Sequence, residues 1–396
     1  MTATAAHPAP TLLLACLLGG SAGWSMTAPG AAASTMATAY GAGLLWVGLL
    51  TAALAAPYAA LQFPGGVLVD RLGVRTAATA GLSLVVAAHL AALLAPLPWL
   101  AVAARIASGT GFAVCFVAGA ELARDSGRGS WGMGIFGGVA LAASGAAVLV
   151  VPFAELVLDW RAPWVTTAAV AALALALTAR QPPDGARGAA GPQDAQPAGP
   201  PSSKLSRDGQ MFRLTAVHAV TLGVGLILSS WATTLLVDIW SFKSTAAAVI
   251  GSGVLGLSVV SRPLGGQVAA MWPTRNRMIC VLALIACSAA TLALSRPGAP
   301  VVAILAVVVL GLFSGLPFAS VVGAAQARQP RRPAAAVGMM NTAAFGLVVM
   351  ATPAVGWAAD HGHASWTLVV VALLWLVPLL ALPAAAAAQP GAVSAS

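Results

Sequence analysis

The chain has 396 residues, 59% hydrophobic and only 7% charged, against roughly a quarter charged in a soluble domain. Long uncharged runs, each near the ~20 residues that cross a bilayer as a helix, define a polytopic membrane protein. They exclude a soluble enzyme, a nucleic-acid binder and a disulfide-stapled secreted domain.

Cutting the sequence at its charged and Pro/Gly-rich breaks predicts an all-α fold of twelve transmembrane helices. The first six run roughly 11–38, 43–69, 74–96, 98–122, 130–158 and 162–180; the second six run roughly 211–239, 245–270, 277–295, 300–325, 334–359 and 364–388. No basic residue precedes the apolar run from Thr11, so it reads as a first span rather than a cleaved signal. Residues 181–210 hold six prolines and five glycines with scattered charge, a composition that buries no core and predicts a flexible linker. The predicted organisation is an N-terminal six-helix bundle (1–180), a cytoplasmic linker (181–210) and a C-terminal six-helix bundle (211–396).

Short cytoplasmic loops are enriched in Lys and Arg. With both termini inside, fourteen of the 19 basic residues fall in inner loops or the linker and three in outer loops. This orientation suits a bacterial-type plasma (inner) membrane. The net charge of +9 then faces anionic lipid and needs no nucleic-acid partner.

Cys16, Cys115, Cys280 and Cys287 lie inside apolar stretches without CxxC spacing, and the five histidines are dispersed. His361 and His363 stand beside Asp360 with no third ligand. No metal and no cofactor are expected. The sequence has no HExxH, paired-Asp or Ser/His/Asp arrangement that would support an enzyme.

The two halves echo one another at nearly one offset. Trp24-Ser-Met-Thr27 in helix 1 matches Trp231-Ala-Thr-Thr234 in helix 7, 207 residues on. Pro64-Gly65-Gly66 matches Pro263-Leu-Gly265-Gly266 at about 200, and Ser108-Gly109 with Phe112-Ala113 matches Ser314-Gly315 with Phe318-Ala319 at 206. Pro152 and Asp159 match Pro353 and Asp360 at 201. A duplicated 6+6 architecture is the architecture of an alternating-access transporter, with two bundles rocking about a midplane site.

Gly66-Val-Leu68-Val-Asp70-Arg71-Leu-Gly73-Val-Arg75 closely resembles the loop 2–3 signature of the major facilitator superfamily (MFS). Arg105-Ile-Ala-Ser-Gly109-Thr-Gly111 and Asp159-Trp160-Arg161 resemble further segments of that family. The resemblance implies two pseudo-symmetric bundles, no catalysis, and generally a monomer. It also implies that Asp70 holds the inward gate against the start of helix 11, with Arg71, Arg75 or Arg124 as partners and Gly66 and Gly73 permitting the turn. Ala270 stands where the repeat would place a second Asp, so the inner gate is expected to be asymmetric.

An ionised residue within a span is a functional candidate by default. Arg262 lies about eight residues from the inner end of helix 8, roughly 12 Å deep, and Arg105 about seven residues from the outer end of helix 4. No acidic residue occupies a helix centre, which favours an anionic substrate over a cationic drug. By register Gln62 matches Arg262, and Tyr58 sits one turn before Gln62 on the same face. The stretch Ser261-Arg262-Pro263-Leu264-Gly265-Gly266 resembles the nitrate/nitrite porter branch of the superfamily, whose second clamping arginine is Gln62 here. Trp24 and Trp231 are candidate aromatic walls, and Asn341 a polar candidate. Protonation of Glu155 or Asp238 is one route to coupling, and exchange against a counter-anion is another. The sequence therefore predicts a secondary active transporter, symporter or antiporter, of a small anion or short carboxylate. Efflux of amphipathic drugs or metabolites by proton antiport is the alternative.

Overall fold

A computed structural model describes residues 8–181, 209–329 and 333–381, and these are helical almost throughout, with no strand among them. The reason is the solvent. Hydrocarbon offers no water to a bare N–H or C=O, so an uncharged run closes its backbone bonds within itself.

The first span is α1 (Pro8–Ala31), extended by the short α2 (Ala33–Ala39). The second is α3 (Leu44–Ala60) followed by α4 (Gln62–Leu72); α5 (Val74–Ala92), α6 (Pro98–Asp125), α7 (Gly129–Leu158) and α8 (Ala162–Ala179) complete the first six. The seventh is α9 (Gly209–His218), a π-helical turn Ala219–Val224, and α10 (Gly225–Trp240). Then come α11 (Ser244–Gly256) with α12 (Ser258–Met271), α13 (Asn276–Leu294), α14 (Pro300–Phe313) with α15 (Phe318–Arg328), α16 (Pro333–Asp360) and α17 (Ala364–Leu376).

Nine described stretches are long and apolar enough to cross a membrane. One of them, Trp131–Ala179, spans 49 residues and must be two spans, because Asp159 at φ 51 turns the chain. The second span follows α2 across a 106° bend, and the apolar Ala364–Leu380 is the last. Twelve spans result, within a few residues of the predicted boundaries. The linker between 182 and 208, and the predicted end of the last span beyond 381, lie outside the described residues.

The second, eighth and tenth spans are each broken between two helices, and in two of them the cause is a proline. A proline has no N–H to give the carbonyl four residues back. Pro64 therefore cannot bond Ala60, where α3 ends, and Pro317 cannot bond Phe313, where α14 ends. These two breaks lie on the second and tenth spans.

Glycines set the distances between helices, because lipid supplies no hydrophobic drive and association rests on close packing of small residues. Within the bundles, a Cβ at Gly23 would overlap the Ala140 carbonyl of α7, and one at Gly223 would come within 2.9 Å of the Ala344 carbonyl of α16. The helix pairs are repeat-related, the first span on the fifth and the seventh on the eleventh. Between the bundles, a Cβ at Gly48 of α3 would overlap Thr352 of α16, and one at Gly145 of α7 would overlap Gly256 of α11. These helix pairs are also repeat-related, and they form two seams, α3 on α16 and α7 on α11. A third contact sets Gly30 of α1 on the Ser230 carbonyl of α10.

The seams run toward the face bearing the loops after α2 and α16, designated outer from the charge distribution. The inner-half helices α4 and α15 pack chiefly within their own bundles. The structure is outward-closed.

The two classes of glycine predict different failures. Gly23→Val should abolish stable folding, seen as loss of monodisperse protein. Gly48→Val should leave each bundle folded but hold the outer halves apart, seen as a longer distance between spin labels on the outer ends.

Candidate substrate site between the bundles

Along the seam α3/α16, Tyr58 stacks edge-on against Phe345 with ring centroids 4.8 Å apart. Behind it, Phe116 of α6 lies 5.8 Å from Tyr58 and 4.9 Å from Phe136 of α7. The Gln62 amide sits beside the Tyr58 hydroxyl, and its Nε2 is buried without a hydrogen-bond partner. An N–H donor thus waits at the break that Pro64 introduces.

Along the other seam, the repeat mate of Tyr58 is Ser258, whose hydroxyl donates to the Gly138 carbonyl at 3.4 Å. A serine on a glycine leaves room that an aromatic pair would fill. Arg262, one turn further on, uses it. Its guanidinium lies 3.8 Å from the centre of the Phe318 ring, and its NH1 faces Gly137 of α7 at 3.4 Å from where a Cβ would stand. Arg262 is buried, its Nε has no hydrogen-bond partner, and among the described residues no carboxylate pairs with it. A ring face supplies about 2 kcal/mol to a desolvated cation, less than the several kcal/mol that burial costs. The site therefore holds an incompletely compensated positive charge.

His218 of α9 is set against this cation. Its ring lies 6.1 Å from Phe318, and its Nε2 is 3.0 Å from Asn341 Oδ1, a bond in which the imidazole N–H donates to the amide oxygen. The π-helical turn that begins one residue later is a common feature of functional sites. Arg262, Phe318, His218 and Asn341 form one cluster in the C-terminal bundle, opposite the Tyr58, Gln62 and Phe116 group of the N-terminal one.

Other predicted residues lie elsewhere. Arg105 does not snorkel: fully buried, it donates from Nε to the Leu50 carbonyl at 3.0 Å and from NH1 to Ser25 Oγ at 2.8 Å. It ties α6 to α3 and α1 inside the N-terminal bundle. Trp24 donates to Thr166 Oγ1 of α8 at 3.3 Å and lines an apolar groove of about 470 Å³ between α1, α7 and α8. Trp231 is fully buried in the core. The aromatic walls at the seams are Tyr58, Phe345 and Phe318 instead. Glu155 is half-buried near the outer end of α7 with Oε1 unpartnered, and Asp238 is exposed near the outer end of α10.

In the loop 2–3 motif, Gly73 at φ 82 makes the turn between α4 and α5. At Gly66 a Cβ would meet nothing nearer than 3.8 Å, so close approach is not what that position requires. Among the described residues no ion pair or hydrogen bond joins Asp70 to Arg71, Arg75 or Arg124. Asp70 and Arg71 are exposed, Arg124 pairs with Glu121 at 3.2 Å, and Arg75 donates to the Ala179 carbonyl at 2.7 Å, capping the end of α8.

Sequence reasoning missed His218, Phe318, Phe345 and Phe116. An ionisable ring within a span was a signal for His218, but only the fold brings it to Arg262. The hydroxyls of Ser229, Ser230 and Thr233 on α10 are likewise buried without partners.

A duplicated twelve-span bundle, with a buried cation at the seam between its halves, has the architecture of a membrane transporter of the alternating-access type. The family model described as Major Facilitator Superfamily matches residues 13–353. The chain belongs to that superfamily and is a secondary transporter of small molecules. No curated protein sequence matches it. Among solved structures it is similar to a mutant of the nucleoside transporter NupG, with 14% identity, TM-score 0.75 and coverage of 95% of this chain and 99% of that one. Unmutated NupG matches with 14% identity, TM-score 0.68 and coverage of 95% and 98%.

The two buried arginines predict opposite stability effects. Arg105→Ala removes two charge-assisted bonds and should cost about 2–3 kcal/mol, lowering the melting temperature by several degrees. Arg262→Ala removes an incompletely compensated charge, and its melting temperature should be unchanged or higher.

Proposed function

We propose that this transporter carries a small organic anion, such as a short carboxylate, with Arg262 as its counter-charge. The observation that supports it is the Arg262 guanidinium itself: buried at the seam, with a free Nε donor and no carboxylate partner among the described residues. A bound carboxylate would accept from that donor, and Gln62 Nε2 offers a second N–H from the opposite bundle. The Tyr58 and Phe345 rings favour an organic body over a bare inorganic ion such as nitrate. Binding from both bundles gives the substrate unequal affinity for open and closed states, which is what alternating access needs.

For coupling, Glu155 is the better-placed proton site, because one of its oxygens is buried while Asp238 is exposed. Exchange against a second anion at Arg262 needs neither. In this reading both termini are cytoplasmic and the unit is a monomer in a bacterial-type inner membrane.

A second reading, a nucleoside, is favoured by the likeness to NupG and by aromatic rings next to the Gln62 and Asn341 amides. A thermal-shift series on purified protein separates the two. A ligand at a hundred times its dissociation constant adds about 2.7 kcal/mol to the native state. Acetate, benzoate or a similar carboxylate should stabilise the wild type and not Arg262→Ala. Stabilisation by uridine or adenosine, equal in both proteins and without any carboxylate effect, would replace the anion by a nucleoside.

A further inference from the structure

At the outer end of the seam α3/α16, the first turn of α3 carries N–H groups that its own helix cannot satisfy. Gly43, which precedes the helix in extended conformation at φ −87 and ψ 174, has no side chain with which to cap it. The cap comes from the other bundle. Asp360, the last residue of α16, accepts from the Leu44 N–H on Oδ1 at 2.9 Å and from the Leu45 N–H on Oδ2 at 3.1 Å. A carboxylate on a helix N-terminus is also favoured by the helix dipole.

The surroundings are shaped for this contact. A Cβ at residue 43 would stand 2.6 Å from Asp360 Oδ2, so glycine there makes the space the carboxylate fills. One turn earlier in α16, Gly356 lets its backbone lie directly on the Leu44 carbonyl. Further in, the Thr352 hydroxyl donates to the Gly48 carbonyl at 3.2 Å. His361, adjacent to Asp360, bonds through Nδ1 to the Trp357 carbonyl at 2.8 Å and stacks on the Trp357 ring, leaving the carboxylate to the two amides.

The repeat-related seam has no such cap. Asp159, the mate of Asp360, takes φ 51 and opens the turn into α8; α11 begins after Lys243, which caps nothing with its side chain. Among the described residues no hydrogen bond joins Asp159 to α11.

We propose that Asp360 is the latch of the outer gate: a positioning residue that caps α3 across the bundle interface when the outer side is closed and releases it whenever that side opens. Outward opening must part α3 from α16, and bonds of this length do not survive a displacement of an ångström or two. The capping bonds are therefore present in one half of the transport cycle and absent in the other, so they bias the equilibrium between the two. One seam carries a carboxylate latch at its outer end; the other, among the described residues, has none there and is joined by packing and by the Ser258–Gly138 hydrogen bond further in.

The test needs no substrate, and so is independent of whether the cargo is an anion or a nucleoside. Spin labels are placed at Thr38 and Trp366, both exposed near the outer ends of their helices, with the four native cysteines replaced by alanine, in lipid nanodiscs. Electron–electron double resonance then reads the separation of the bundles. The unsubstituted protein should show a dominant short distance. Asp360→Ala should raise the ratio of long to short distances about fivefold, the scale of a lost helix cap, and Asp360→Asn by less. Gly43→Ala keeps the carboxylate but displaces it from the amides, and should act in the same direction. Distributions for Asp360→Ala and Gly43→Ala that superimpose on the parent would overturn the proposal.

Discussion

The contact on which the rest of the structure depends is backbone laid on glycine between the two bundles. Gly48 against Thr352 and Gly145 against Gly256 set how close the halves come, in a medium where no hydrophobic force would otherwise join them. That spacing decides which side chains meet. It brings Tyr58 onto Phe345 and leaves Arg262 the room beside Gly137. It also brings the end of α16 within bonding distance of the start of α3.

Symmetry builds the scaffold, and departures from symmetry build the site. The duplication supplies two equivalent seams, each with its glycine contact. At the level of the site the mates diverge: an aromatic pair on one seam faces a serine–glycine pair on the other, and an amide at Gln62 answers a cation at Arg262. A binding site equal on both sides would suit a symmetric solute. The proposed site would present an apolar wall from one bundle and a charge from the other, the arrangement that the anion proposal requires.

The two arginines buried in spans show how far a shared sequence signature can part in meaning. Arg105 has acceptors on two neighbouring helices and serves the fold of its bundle. Arg105 still leaves its NH2 without a partner, but Arg262 has only a ring beneath it and, among the described residues, no hydrogen-bond acceptor at all. Under the proposed function, a bundle that keeps such a group forgoes stability for binding, since a neutral residue of like volume would pack there at lower cost.

The sequence by itself determined the membrane, the twelve spans, the duplication and the superfamily, because each is carried by local composition, by periodic charge or by motifs a few residues long. A 20-residue apolar run has no other fold in lipid, and Pro64 and Pro317 each remove the N–H that would bond the last residue of the helix before them. Arg262, Gln62, Tyr58 and Asn341 were singled out as candidates from helix register and the repeat; Tyr58 meets Phe345 and Arg262 lies beside Gly137, while Asn341 bonds His218 in its own bundle. What only the tertiary structure decided are the pairings. Trp24 and Trp231, matched by the repeat, turn into their own bundles, while His218 meets Asn341 from 123 residues away and Asp360 reaches Leu44 across 316. Such contacts depend on how far one helix rotates and slides against another, which is set by the sum of many small packing terms across the seams and is written in no single stretch of the chain.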